Sequence, residues 1–330
     1  MARNRFPALC FAFVLGLFIT PNPCLSQGNG LRSLGTVLPS TGQEDVFSFA
    51  EKFVLGSSGN IYILDTGLSS IFALNDKNSQ VSSLCSPRVL RSASFTDVSV
   101  STENQIWGLD ALKAKVFKIN SQCKVQTSFS CRNTPSKLLI NSFGEIVILT
   151  GEGDTLFDLY SADGKLIRSF GKRIRYGNPI ADSELNDGRL CADQAGGFYF
   201  SFNYPPLIHH YDRKGRLISE FKPESSVTIN PPVVSSQQQG RNVTVSSRYQ
   251  ILVLDMAADN QGRLYLLLSG ENKHRALTQG SRKLLVTTNK GKAVKQLSLE
   301  NNFHRLAVKN KTLYLLKNRK GLILGKYALN

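Results

Sequence analysis

The chain has 330 residues, 41% of them hydrophobic, and a formal charge of +16, which is room for one large all-β domain or two ordinary ones. A balance this basic favours anionic partners such as polysaccharide, nucleic acid, lipid headgroups or an acidic protein, although a scatter of solvated lysines gives the same count. Apart from one stretch near the N-terminus, no apolar run approaches membrane length, which argues against a membrane span in the mature protein.

Residues 1–26 read as a secretory signal. Arg3 and Arg5 make a basic start, and residues 8–19 form an apolar core too short to cross a bilayer. Pro21 and Pro23 then precede Cys24-Leu25-Ser26, with small residues placed for a cut before Gln27. A retained anchor is the other reading, and the short core weighs against it. The expectation is an exported protein, periplasmic or extracellular, with residues 27–330 as one monomeric domain of formal charge +14. Four cysteines remain in it: Cys85, Cys123, Cys131 and Cys191. In an oxidising compartment they allow two disulfides in three pairings, or burial as free thiols. None lies in a Cys-x-x-Cys pair, so no metal cluster is expected.

Residues 59–76, GNIYILDTGLSSIFALND, form a hairpin in miniature. Gly59 and Asn60 suit a turn, Ile61 to Leu64 an apolar strand, Asp65-Thr66-Gly67 a break, and Ser70 to Leu74 a second strand. Two such strands bury too little to stand alone, so the unit has to repeat. Six apolar doublets repeat it: Ile61-Tyr62, Ile106-Trp107, Ile146-Val147, Phe198-Tyr199, Leu264-Tyr265 and Leu313-Tyr314. They are separated by 45, 40, 52, 66 and 49 residues. Short strands at this period predict an all-β, six-bladed β-propeller with four-stranded blades. In each blade a strand A before the doublet lines the channel, the doublet opens strand B, and strands C and D follow.

The last copy ends at strand C, residues 321–329, with no strand D after it. Residues 31–38, LRSLGTVL, resemble the D strands at 166–171 and 217–221. The expectation is that they join the last blade and close the ring. Residues 171–186 and 222–248 do not fit the repeat and read as polar surface loops between strand D and the next strand A. Residues 269–280 read as a B–C insertion on the same face. Loops gathered there mark a functional face, or neutral elaboration.

Gly59 to Gly67 followed by Ile71-Phe72 resembles the NHL repeat of six-bladed propellers, and Gly196-Gly197-Phe198-Tyr199 with Tyr211 to Leu217 resembles its second half. The likeness is good in blades 1 and 4, fair in 3 and 5, and poor in 2 and 6. It implies a fold whose members include protein-binding and RNA-binding modules, lactonases and lyases, so function does not follow from it.

The position before each strand A reads Lys52, Asp97, Lys137, Arg189, Asp255 and Arg305. Four cations and two carboxylates oppose the calcium cage that a lactonase-like site needs, although Glu51 and Asp187 lie close enough to supplement Asp97 and Asp255. Zinc would require converging histidines. The chain offers His209, His210, His274 and His304, of which His209 and His210, adjacent on a strand, point to opposite faces and cannot both chelate one ion. No nucleophile elbow or phosphate-cradling loop appears.

The expectation is therefore a non-enzymatic binding module, without cofactor, recognising a protein or anionic polysaccharide. Its basic loop face carries Lys52, Lys137, Arg173, Arg175, Arg189, Lys273, Arg275 and Arg305, with Tyr176 and Tyr204 as stacking surfaces. An unremarkable cationic surface is the plainer reading. Export argues against a nucleic-acid partner. The alternative is a lactonase-like or lyase-like enzyme with a metal, calcium, at Asp97 and Asp255.

Overall fold

A computed structural model describes residues 31–38, 47–75, 81–86, 93–175, 179–224, 234–236, 243–245, 252–269, 280–318 and 322–329. The expected signal, residues 1–26, lies outside them. Six four-stranded antiparallel sheets form a β-propeller. After β1 (Leu31–Leu38), blade 1 contains β2 (Ala50–Leu55), β3 (Asn60–Asp65), β4 (Ser70–Asn75) and β5 (Val81–Cys85). Blade 2 contains β6 (Asp97–Val100), β7 (Ile106–Asp110), β8 (Lys115–Ile119) and β9 (Val125–Ser130). Blade 3 contains β10 (Pro135–Ile140), β11 (Ile146–Thr150), β12 (Thr155–Tyr160) and β13 (Leu166–Lys172). A short helix, α1 (Pro179–Leu185), leads to blade 4: β14 (Gly188–Ala192), β15 (Phe198–Phe202), β16 (Ile208–Tyr211) and β17 (Leu217–Phe221). A small hairpin of β18 (Val234–Ser236) and β19 (Val243–Val245) precedes blade 5, which is β20 (Val253–Ala258), β21 (Leu264–Leu268), β22 (Ser281–Thr287) and β23 (Ala293–Phe303). The last strands are β24 (Arg305–Lys309), β25 (Thr312–Lys317) and β26 (Ile323–Leu329).

The hairpin turns explain why the repeat is legible. In most of them a short polar residue opens the turn and its side chain accepts main-chain N–H groups ahead of it. Asn141 Oδ1 takes Phe143 and Glu145 at 3.0 and 2.9 Å, and Asp259 Oδ1 takes Gln261 and Arg263, both at 2.9 Å. The fourth turn residue needs positive φ, which Gly144 supplies at 76°.

Strand B is buried along most of its length in every blade, and throughout in Ile146–Thr150, because both faces of a blade pack on neighbours. Six buried apolar clusters result, one at each blade junction. The junction of blades 1 and 2 also carries a disulfide, Cys85–Cys123, from the end of β5 to the β8–β9 turn. It closes a loop of 38 residues, worth about 3–4 kcal/mol in a chain-entropy account. Cys131 and Cys191 are free thiols.

The ring closes as the sequence predicts. β1 pairs antiparallel with β26, from Leu31 opposite Leu329 to Leu38 opposite Leu324, completing the sheet β1-β26-β25-β24. Val37, 2% exposed, enters the cluster between blades 6 and 1 with Phe53, Ile61 and Leu316.

The segment 171–186 departs from expectation. It is no plain surface loop, since it holds α1 and buries Arg173 and Asn186. The Asn186 side chain accepts the Ile174 N–H at 2.8 Å and donates to the Ile174 and Asp182 carbonyls.

Deleting residues 31–38 strips an edge from β26 and part of a buried cluster. The expected outcome is a broad transition or none in calorimetry. A milder variant, Val37→Ala, should cost about 1–3 kcal/mol in urea unfolding.

Candidate functional site

The A strands β2, β6, β10, β14, β20 and β24 surround a central cavity of about 290 Å³. Lys52, Asp97, Lys137, Arg189, Asp255 and Arg305 all line it. The column read from the sequence thus becomes a ring at the face where the A strands begin. In blades 1, 3 and 5 the register slips just before the ring residue, at Ala50/Lys52, Pro135/Lys137 and Val253/Asp255. Such bulges re-aim side chains.

Most of the ring is neutralised internally. Lys52 Nζ meets Asp97 Oδ1 at 2.7 Å. The other Asp97 oxygen accepts the Leu138 N–H, also at 2.7 Å, on the strand of the next blade. Arg305 is ion-paired with Glu51, and its guanidinium also donates to the Glu51 and His304 carbonyls. Asp255 Oδ2 accepts the Leu306 N–H at 2.8 Å. Burial raises the Asp255 carboxyl above the usual carboxylate range, against the pull of Arg305 and Arg189.

Lys137 and Arg189 differ. Both are half-buried, and neither side chain has a hydrogen bond or ion pair with any described residue. Arg189 Nε is out of solvent and unpartnered. Burial works against the Arg189 charge and Arg305 adds to that, while Asp255, Glu51 and Asp187 favour it through space without bonding it. Sequence reasoning grouped these two with Lys52 and Arg305, because residue type shows charge and not which neighbour cancels it. It also offered Glu51 as a metal ligand. The bulge that swings Glu51 to Arg305 has no signature in the sequence.

A calcium ion does not fit this donor set. Asp97 is held by Lys52, by Leu138 and by the Val98 N–H at 2.9 Å, and Asp255 is bonded to the next strand among cations. Asp187 bonds Asn203 at 3.0 Å and Ser136 at 3.4 Å. No group of three His, Cys, Asp or Glu side chains converges among the described residues. His209 and His210 do face opposite ways: the first bonds Tyr211 and Glu220, the second Asp193.

The rim residues separate as well. Arg173 is only 3% exposed. It donates to the carbonyls of Thr150, Gly151 and Asp182 at 2.8, 2.9 and 3.1 Å, so it ties the β13–β14 crossover to blade 3 and does not face a partner. Arg175 pairs with Asp154 at 2.9 Å and Asp182 at 3.3 Å. Tyr204 packs against the cluster between blades 5 and 6. Lys273, Arg275, His274 and Tyr176 lie outside the described residues. Asp65 and Asp110, which the sequence places on the loop face, are buried and accept loop N–H groups. No described helix is long and apolar enough to cross a membrane.

No protein-family model matches the chain, and no curated protein matches it. Solved structures do resemble it. A catalytically inactive virginiamycin B lyase from Staphylococcus aureus, solved with quinupristin, aligns with a TM-score of 0.56 at 12% identity, over 90% of this chain and 99% of its own. A gluconolactonase from Xanthomonas campestris aligns at 0.56 and 10% identity, over 88% of each chain. A hydrazine synthase from Kuenenia stuttgartiensis aligns at 0.52 and 9%, over 86% of this chain and 97% of its own. Three names with three chemistries share one fold, and the fold is what the likeness shows.

Two expectations follow from these environments. Arg173→Ser should cost about 2–4 kcal/mol by leaving interior carbonyls unpaired, whereas Arg175→Ser should stay within about 1 kcal/mol in the same urea titration. Asp255→Asn should raise the unfolding midpoint at pH 7. A carboxyl whose folded pKa is raised costs stability while ionised. That cost fades as pH falls through the folded pKa toward the unfolded value of about 4, so the two proteins should converge there.

Proposed function

We propose that the chain is an exported, non-enzymatic binding propeller related to the NHL-repeat proteins. It recognises a protein or an anionic glycan with the face on which its A strands begin. The observation that carries this reading is the pair of unpartnered cations, Lys137 and Arg189, half-buried at the channel mouth while the other ring cations are matched. A cation in a low-dielectric channel focuses its field outward and favours an incoming negative group. Support comes from the crossover carrying α1 and the one carrying the β18–β19 hairpin, which both join strand D to the next strand A and therefore emerge on that same face. The cations of the face are then a deep pair in the channel and an exposed set above it that includes Arg132, Lys172 and Lys113, the last also paired with Asp110.

A lyase-like or lactonase-like metal enzyme is the second reading. Its support is that two of the structural neighbours are named as a lyase and a gluconolactonase, while the bonds that hold Asp97 and Asp255 weigh against a metal there.

Changing Lys113, Arg132 and Lys172 together to Ser should lower retention on a heparin column, or affinity for a captured anionic partner, by about fivefold. The salt dependence should flatten and the unfolding midpoint should not move. Unchanged elution would overturn the basic-face reading, and stoichiometric calcium in the same purified protein would transfer support to the enzyme.

A further inference from the structure

The ring of charges has an internal two-fold pattern. Lys52, Asp97 and Lys137 on blades 1–3 repeat as Arg189, Asp255 and Arg305 on blades 4–6: cation, acid, cation. One bond repeats with the residues. Asp97 accepts the N–H of Leu138 at 2.7 Å and Asp255 that of Leu306 at 2.8 Å, each being the residue after the next ring cation. Two junctions therefore place ring cations on neighbouring blades, Arg305 and Lys52 on blades 6 and 1, and Lys137 and Arg189 on blades 3 and 4.

At the first junction the chain supplies the missing acid. The bulge in β2 delivers the Glu51 carboxylate to Arg305, leaving Lys52 to Asp97. At the second junction it does not. β14 runs in regular register, with Gly188 opposite Phe202 and Arg189 opposite Ser201. Gly188 has no side chain, and an added Cβ would overlap the Ser201 carbonyl oxygen. Asp187, the nearest acid in sequence, is engaged by Asn203 and Ser136. One of the two equivalent sites has a carboxylate bonded to its cation; at the other, Asp255, Glu51 and Asp187 act on Arg189 only through space.

We propose that the junction of blades 3 and 4 receives this carboxylate from a ligand, and that the ligand is an acidic side chain of a protein partner inserted from the loop-bearing face. The chain's own occupant of the matching site is a glutamate. A carboxylate on a slender methylene stem suits a cavity of about 290 Å³, whereas a uronate must bring its ring along. The guanidinium fork of Arg189 matches a planar carboxylate, and Lys137 adds a point charge. The inference rests on the binding-platform reading and names the group that the face selects.

The test uses the full chain and N-acetylglutamate amide as probe, with N-acetylglutamine amide as neutral control and glucuronate as the glycan counterpart. Calorimetric titration should show saturable binding of the glutamate probe alone, and the Arg189 Nε–H resonance should shift with it. Arg189→Gln should weaken binding at least about tenfold and Lys137→Gln about three- to tenfold. Lys137→Glu places a carboxylate beside Arg189 from within. It should abolish probe binding and hold or raise the unfolding midpoint, a result that misfolding does not mimic. Equal binding of the glutamine probe, undiminished binding in Arg189→Gln, or glucuronate binding without glutamate binding would each overturn the proposal. The Lys113, Arg132 and Lys172 variant separates the two readings. It should leave the probe titration intact, so lost probe binding sinks the carboxylate site, and unchanged partner retention sinks the platform.

Discussion

The pairing of β1 with β26 is the constraint on which the ring depends. A blade has two apolar faces and is stable only between two neighbours, so an open array would leave one face of blade 1 and one of blade 6 in water. The N-terminal strand removes that problem by making the last blade from both ends of the chain. Polar contacts stitch the same junction. Arg305 holds Glu51, Asn318 Nδ2 donates to the Ala50 carbonyl at 3.0 Å, and Lys309 reaches the Gly56 and Ser57 carbonyls. Closure therefore consumes charged groups that a reading by residue type would assign to a ligand.

The inner edges of the A strands impose a second constraint. Each blade ends at the channel in a strand whose inward N–H and C=O groups have no further strand to pair with, and unpaired buried amides are costly. Three side chains answer this across junctions. Asp97 and Ser99 on blade 2 bond Leu138 and Ile140 on blade 3, and Asp255 on blade 5 bonds Leu306 on blade 6. The two channel aspartates are thus parts of the architecture first. A metal reading built on their residue type and position names the right residues for a role that their geometry does not support.

Much of the fold is legible because its signals are local. Turn residues, the apolar doublets and the D-like character of residues 31–38 each depend on a few neighbouring positions, and the structure reproduces blades, strand order and closure from them. The ring of six charges is legible for the same reason, since the repeat aligns those positions. What the sequence hides is pairing across junctions. The hydrogen bonds of Arg173 link residues 9 to 23 positions apart, and those of Arg305 to Glu51 span 254. A bulge of one residue decides whether an acid reaches a cation, and no pattern of residue types records it. The short α1 escaped for another reason: seven residues, PIADSEL, are too few to show helical periodicity.

The pairing pattern divides the face into two electrostatic regimes. Exposed cations such as Arg132 and Lys172 sit in high dielectric and are screened within about 8 Å at physiological salt, so they steer encounter and lose influence as salt rises. Lys137 and Arg189 lie where water is restricted, and a charge there is screened far less. A ligand that touches both regions would be drawn in by the rim and retained by the channel. Its association rate would carry the salt dependence and its dissociation rate the specificity. Because Glu51 pairs with Arg305 and no described side chain bonds Lys137 or Arg189, the unbonded ring cations are concentrated on one side of the channel, on blades 3 and 4. There the crossover anchored by Arg173 brings α1 to the same face. The charge asymmetry of the channel is therefore produced by one bulge in β2 and its absence in β14.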